Sequence, residues 1–419
     1  MHPSKKHNHI RKETHNMKIT SVDVFEVKPM STGAPIVMRV NTDEGISGFG
    51  EVGLAYGKAH HAGVGIARDF AQLLVGRDPM KIEEIWENIF RTTFWGMGSG
   101  IVISAGMSAV DIALWDIKGK ALGKPVYELL GGKTNERVRA YASQLQFDWG
   151  DAHKNLAKPD EYARATEKAL KEGYTAIKVD PLAMTDQYVW ARDLPVSAWP
   201  MRGVLPTSTL QLTYDRVKAM RDVGGRDLDI ILELHAYSDT NTAIQIGQKL
   251  EELNIYYMEE AVHPLNVESF VEIRKKVNIP LAGGERIYTR WGYRPYFEKR
   301  ALQVIQPDIC VAGGISETKK ICDMANIYDT AVQIHVCGGP ISTAAALQLE
   351  AVIPNFIIHE MHEGGMKADM RATCKYDYVP KNGYLDVPDL PGIGQELSEQ
   401  AMREATVYTI DQPRTSGMV

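Results

Sequence analysis

Cysteine is scarce in this chain: Cys310, Cys322, Cys337 and Cys374 are the only four in 419 residues, and no two form a Cys-x-x-Cys pair. That argues against a zinc or dithiol redox motif and fits a reducing cytoplasm. No run of about 18 apolar residues exists, so no membrane-spanning helix is expected. Basic blocks are missing after the first dozen residues, and the net charge is −6 with a pI near 6.1, which speaks against a dedicated nucleic-acid surface. The polar, basic start, residues 1–16, lacks the apolar core of a secretory signal. It reads as a leader or appended extension outside the fold.

What is present is ordinary for a soluble globular protein with a large core: 44% hydrophobic and 24% charged residues. At roughly 150 residues per domain the length allows two or three domains, although an α/β barrel of about 250 residues counts as one. Residues 17–28 and 36–42 alternate apolar and polar, as in Ile19, Val22, Val24 and Ile36, Met38, Val40, which predicts strands. A third short strand follows Gly45 and Gly48. The period then becomes helical: Ile82, Ile85, Trp86, Ile89 and Phe90 share one face, and a long helix through Ala109, Ala113, Asp116 and Lys120 ends at Gly123-Lys124-Pro125. Residues 17–135 thus read as an α+β capping domain.

From Val138 short β-rich runs alternate with amphipathic helices. The runs are Val138–Ser143, Ala176–Val179, Ile230–Leu234, Tyr256–Met258, Leu281–Ala282, Val304–Ile305, Val332–Ile334 and Phe356–Ile358. Repeated βα units imply a parallel sheet, and this count predicts an α/β fold with a (β/α)7–8 TIM-type barrel over residues 136–365. Residues 366–419, rich in turns, are expected to return to the capping domain.

Barrel chemistry sits at the C-terminal strand ends. Those ends carry Lys178-Val179-Asp180, Glu233-Leu234-His235, Glu259-Glu260, Glu285-Arg286, Gln306-Pro307-Asp308, His335 and His359-Glu360. Glu233, Glu259 and Glu285 are evenly spaced at 26 residues, one βα repeat, which predicts that each reaches the same height on successive strands. A lone glutamate after a strand is usually a solvated charge. Three in register would repel one another unless they surround a cation, and three hard oxygen donors suit Mg²⁺ better than Zn²⁺.

These strand ends, together with Ser108, Asp111, Trp115, Asp116, Lys118 and Lys120 of the long helix, Gly131-Gly132 and the Gly283-Gly284-Glu285-Arg286 run, resemble the mandelate racemase subgroup of the enolase superfamily from about Met17 onward. The resemblance implies a homo-oligomer, dimer to octamer, that acts on a small-molecule carboxylate. It implies Glu233, Glu259 and Glu285 as metal ligands, an Asp308–His335 base dyad, and Glu360 as the acid of the eighth strand. Removing a proton next to a carboxylate requires the second negative charge to be stabilised as it forms, which the ion and Lys178 would do. Glu360, if protonated, would donate a hydrogen bond on the other side. Taken alone, His335 would more often be a packed core histidine; Asp308 on the preceding strand gives it an orienting partner.

Racemases of the family typically carry Lys-x-Lys on the second strand. This chain has Lys178-Val179-Asp180, and instead a histidine, His235, two residues after the first metal ligand. That pattern resembles the sugar-acid dehydratases, where such a histidine protonates the departing β-hydroxyl. Dehydration of an aldonate to a 2-keto-3-deoxy acid is therefore expected. Epimerisation, racemisation or cycloisomerisation by the same enediolate chemistry is the alternative, and a non-catalytic metal-binding regulatory relative is a third. Ala261 stands where the family usually has proline. The 55 residues from Lys178 to Glu233 exceed one repeat, so residues from Pro181 to about Leu212 form an insertion over the mouth or at a subunit interface. Tyr188 from that insertion is a rival base. Asp180, Arg286, Tyr188, Trp95 and His60 are the expected substrate contacts, with the loops Met30–Pro35 and Ala55–Gly63 as caps.

Overall fold

In the computed structural model, residues 16–28, 33–199 and 203–414 are described. The leader over residues 1–15 and the tip of the Met30–Pro35 loop lie outside them. Strands β1 (Ile19–Glu26), β2 (Ile36–Thr42) and β3 (Ser47–Val52) form an antiparallel meander, and the C-terminal strand Thr406–Ile410 pairs with the free edge of β1. Helices α1 (His60–Leu74), α2 (Ile82–Thr92) and α3 (Ile101–Leu122) follow. The buried residues of α2 are Ile82, Ile85, Trp86, Ile89 and Phe90, the face its periodicity predicts. Helix α3 is buried on nearly every side because it lies between two layers. Strand β3 approaches it so closely that a Cβ on Gly50 would stand 1.9 Å from the Ala109 carbonyl oxygen, and one on Gly48 2.1 Å from that of Ala113. Only glycine fits at such distances.

Eight parallel strands make the second unit: β4 (Arg137–Ser143), β5 (Ala176–Val179), β6 (Asp229–Glu233), β7 (Ile255–Glu259), β8 (Leu281–Gly283), β9 (Val304–Ile305), β10 (Ala331–Val332) and β11 (His359–His362). Each pairs with the next from β4 to β10, and β11 pairs with β4. A single parallel bridge, Val332 to Phe356, joins the remaining edges and completes the curl. The last strand thus begins three residues later than its apolar run suggests. Phe356–Ile358 spends its hydrophobicity on packing, and the ladder is made by His359–His362. Among the described residues no helix is long and apolar enough to cross a membrane.

Buried carboxylates hold the two units together. Asp116 of α3 is fully buried and accepts the backbone N–H groups of Phe49 and Ile393, both at 2.9 Å, while Lys120 lies 2.8 Å away. Glu51 of β3 accepts N–H groups from Gly339 at 2.6 Å and Ser342 at 3.0 Å, at the start of the helix Pro340–Glu350. Two buried donors without acceptors would remain if Asp116 were truncated, and Lys120 would keep only Glu396 at 3.0 Å and the Ser47 carbonyl at 2.9 Å. Asp116→Ala is expected to lower unfolding stability by about 3 kcal/mol, and Asp116→Asn by less, in urea denaturation followed by circular dichroism.

Candidate active site

The ladder between β6 and β7 sets Glu233 directly opposite Glu259. Glu285 does not follow by register: β8 pairs Ala282 with Glu259, so Glu285 stands three residues beyond that level. Equal spacing in the sequence is therefore not equal height. Gly283 and Gly284, the latter with φ +157°, carry the chain past the strand end and return Glu285 to the group. Oxygens of Glu233, Glu259 and Glu285 then all lie within 4.8 Å of one another.

Lys178 joins this cluster from β5, with Nζ 2.7 Å from Glu259, 2.7 Å from Glu360 and 3.4 Å from Glu233. Burial alone would strip the ammonium of its proton, but Glu259, Glu360 and Glu233 hold its pKa well above the ordinary value. Burial also pushes the Glu259 carboxyl up, with Glu233 adding repulsion and Lys178 opposing it. One lysine cannot satisfy this group. The outer oxygens of Glu233 and Glu259, both Oε2, are buried without a hydrogen-bond partner. Orphaned carboxylate oxygens converging at this distance fit a hard divalent cation.

His335 faces the cluster from just beyond β10. Its Nδ1 is 2.8 Å from Asp308, and a backbone bridge between the same two residues fixes their spacing. Its Nε2 is 3.1 Å from Glu285. Burial disfavours a charged ring, yet Glu285, Asp308 and Glu360 raise it to about 10. Glu285 thus serves both the imidazolium and the carboxylate cluster. Glu360 differs from the expected hydrogen-bond donor. Despite burial, Lys178 and His335 hold its carboxyl far below the usual range. It accepts from the Ser143 hydroxyl at 2.6 Å and the Val336 N–H at 3.1 Å, so it is an ionised acceptor in this arrangement.

His235 forms a second carboxylate–imidazole pair. Its Nδ1 is 2.6 Å from Asp180, its backbone N–H donates to Glu233 at 2.6 Å, and its Nε2 is 3.4 Å from the Gln144 amide nitrogen. Left-handed backbone at His235 (φ 47°) and Ala236 (φ 58°) turns the chain sharply here. Burial lowers the tendency of the ring to protonate, but Glu233 and Asp180 reverse this and raise its pKa. Asp180, expected to touch substrate, lines the cavity and also orients His235, and its own N–H is held by Gln146 at 3.1 Å.

A cavity of about 690 Å³ opens over these groups, walled by both units. His60 lines it, with Nε2 3.0 Å from Glu26, and Arg286 lines it while paired to Glu285 at 2.7 Å and to Glu260. Tyr188 and Trp95 are not among its lining residues. Trp95 is 72% exposed and packs edge-on against Phe94, and Tyr188 is turned outward in a left-handed position (φ 63°). The insertion reaches the cavity through Trp190 and Arg192 instead, Arg192 lying over the Tyr237 ring at 4.3 Å. Gln144, His153, His362 and Glu363 also line the wall and went unread in the sequence. Period two along β11 could have flagged His362 from Glu360; nothing local marks Gln144 or His153, which lie on a loop.

Comparison with known proteins agrees with this architecture. Residues 14–131 match the mandelate racemase/muconate lactonizing enzyme N-terminal domain, and residues 161–401 match the enolase C-terminal domain-like family. A D-galactonate dehydratase of Variovorax paradoxus is 31% identical over 400 residues, spanning 93% of this chain and 94% of the relative. An arabinonate dehydratase of Saccharolobus solfataricus is 30% identical over 370 residues, 88% of this chain and 90% of the relative. A crystal structure of an enolase-superfamily member from Salmonella Typhimurium is 55% identical and superposes with a TM-score of 0.90, covering 94% of this chain and 100% of the other.

A cation at the three glutamates must displace a proton held by the raised Glu259 carboxyl and draw Glu285 away from the His335 imidazolium. Both steps are easier at higher pH. Mg²⁺ affinity is therefore expected to rise with pH across the neutral range, with proton release detected by calorimetry in buffers of different ionisation enthalpy. Glu233→Gln is expected to weaken binding by about 100-fold or more.

Proposed function

The chain belongs to the mandelate racemase/muconate lactonizing enzyme family of the enolase superfamily, and on that premise we propose that it is a hydro-lyase converting an aldonate to its 2-keto-3-deoxy acid. The observation that carries this reading is the pair of carboxylate-oriented imidazoles, His335–Asp308 and His235–Asp180, on one cavity above the glutamate cluster. One base and one acid are what elimination of water requires. Relatives named as galactonate, gluconate and arabinonate dehydratases support it.

Glu233, Glu259 and Glu285 would hold Mg²⁺, which when bound supplies positive charge beside the substrate carboxylate. Lys178, kept cationic by its neighbours, adds charge to the same carboxylate. Glu360 accepts from Lys178 and keeps that ammonium in place. With Glu285 turned to the glutamate cluster and the imidazolium proton released from Nε2, His335 takes the α-proton there, and Asp308 holds Nδ1 so that the ring meets the substrate in one orientation. The electron pair released at Cα forms an enediolate. As that pair moves toward Cβ, the Cβ–oxygen bond breaks and His235 delivers its Nε2 proton to the departing hydroxyl, which leaves as water. The resulting enol tautomerises to the 2-keto acid. Two-base racemisation lacks its second base: Asp180 stands where the lysine would be, and it is engaged by His235.

The expected outcome of a screen of stereoisomeric aldonates is Mg²⁺-dependent formation of a 2-keto-3-deoxy acid from one or a few of them. His335→Asn is expected to lower both dehydration and α-proton exchange in D₂O by about 10³-fold. His235→Asn is expected to suppress dehydration by about 10²-fold or more while exchange persists. Equal loss of both activities in the His235 variant would refute separate acid and base.

A further inference from the structure

Two histidines of the cavity wall take no part in the chemistry above, and their neighbours use Nδ1 in opposite senses, as acceptor in one ring and as donor in the other. His362 ends β11 and shares a face with Glu360, because side chains two apart on a strand point the same way. It stands about 7 Å further along the strand, toward the mouth. The backbone N–H of Gly364 donates to its Nδ1 at 3.0 Å. A nitrogen that accepts carries no hydrogen, so the ring proton is on Nε2. Burial pushes this ring down to about 4, which keeps it neutral. Among the described residues no acceptor meets Nε2.

His153 is the reverse case. It lies on the loop after β4, the strand that sets Ser143 opposite His362. Its Nδ1 lies 2.8 Å from Glu363, a carboxylate that is 1% exposed and clamped on its other side by Lys367 at 2.9 Å. The ring stacks on Phe147 with centroids 4.5 Å apart. Its Nδ1 hydrogen is given to Glu363, which leaves Nε2 as the nitrogen that presents a lone pair when the ring carries one hydrogen.

We infer that His362 and His153 form a hydroxyl-reading subsite, in which one substrate hydroxyl accepts from His362 Nε2 and donates to His153 Nε2. A hydroxyl is both donor and acceptor and satisfies the two rings together. A carboxylate or phosphate oxygen only accepts and would face the His153 lone pair. The inference rests on the sugar-acid reading and narrows it: the end of the substrate remote from the reacting carboxylate is polyhydroxylic and uncharged.

The test is equilibrium binding by calorimetry to the Mg²⁺-loaded enzyme, with turnover measured alongside. The ligands are an aldonate, analogues in which one distal hydroxyl at a time is replaced by hydrogen, and the corresponding diacid. Wild type is expected to bind one deoxy analogue about tenfold more weakly than the parent, and the diacid more weakly still. His362→Gln and His153→Asn are each expected to bind the parent about tenfold more weakly and to lose the discrimination against that analogue, a result that a merely misfolded variant would not give. Equal binding of parent and all deoxy analogues by wild type, discrimination unchanged in both variants, or preference for the diacid would overturn the subsite. Discriminating binding without turnover would overturn the dehydratase reading and leave the subsite standing.

Discussion

Mutual repulsion among buried carboxylates is the constraint around which this molecule is organised. Glu233, Glu259 and Glu360 are buried, Glu285 nearly so, and they surround one ammonium, that of Lys178. A hydrophobic core would never select this arrangement, since each unpaired charge taken from water costs several kcal/mol. It persists because the strands beneath are fixed by their own packing. Ala176, Ile231, Tyr257, Ala282 and Val304 fill the barrel below the cluster. The stored repulsion is the affinity of the site for a cation, held ready by the fold.

The same constraint sets the state of the histidines. His335 and His235 are both raised by the carboxylates facing them, against the effect of burial. They differ in what they face. His335 shares Glu285 with the cluster, so its charge depends on what Glu285 is committed to. His235 is tied to Asp180, outside the cluster, and keeps a partner whatever the cluster holds. Two imidazoles of equal intrinsic chemistry are thereby set in different surroundings, one against the glutamate cluster and one against Asp180. Farther up the wall His362 and His153 are governed by hydrogen bonds instead, one to a backbone N–H and one to Glu363.

The first unit contributes by enclosure. Glu51 anchors it to the barrel, Asp116 ties it to the C-terminal segment through Ile393, and His60 and Tyr56 reach the cavity rim. Because Glu51 grips the start of the helix Pro340–Glu350, the Val336–Gly339 segment beside His335 is fixed by a residue from the other unit. Fold and site are mechanically one object here.

The sequence by itself determined the strands of the meander and of the barrel, the helix faces and the identities of the groups at the mouth, because period and spacing are local properties of a chain; the C-terminal strand Thr406–Ile410 was not among them. Glu233 and Glu259 could be read as neighbours since a ladder converts one repeat into one strand step. It could not supply the three-residue offset of Glu285, the assignment of Asp180 to His235, or the ionised state of Glu360, since each depends on which atoms meet across strands. Tyr188 and Trp95 were misplaced for the same reason: an aromatic in a loop carries no periodic signal, and only the path of the loop decides which way it turns. Gln144 and His153 became visible only when β4 and β11, more than 200 residues apart, were laid side by side, whereas His362 lies two residues from Glu360 on its own strand. Hydrogen-bond partners at that separation are chosen by tertiary packing, and no local pattern encodes them.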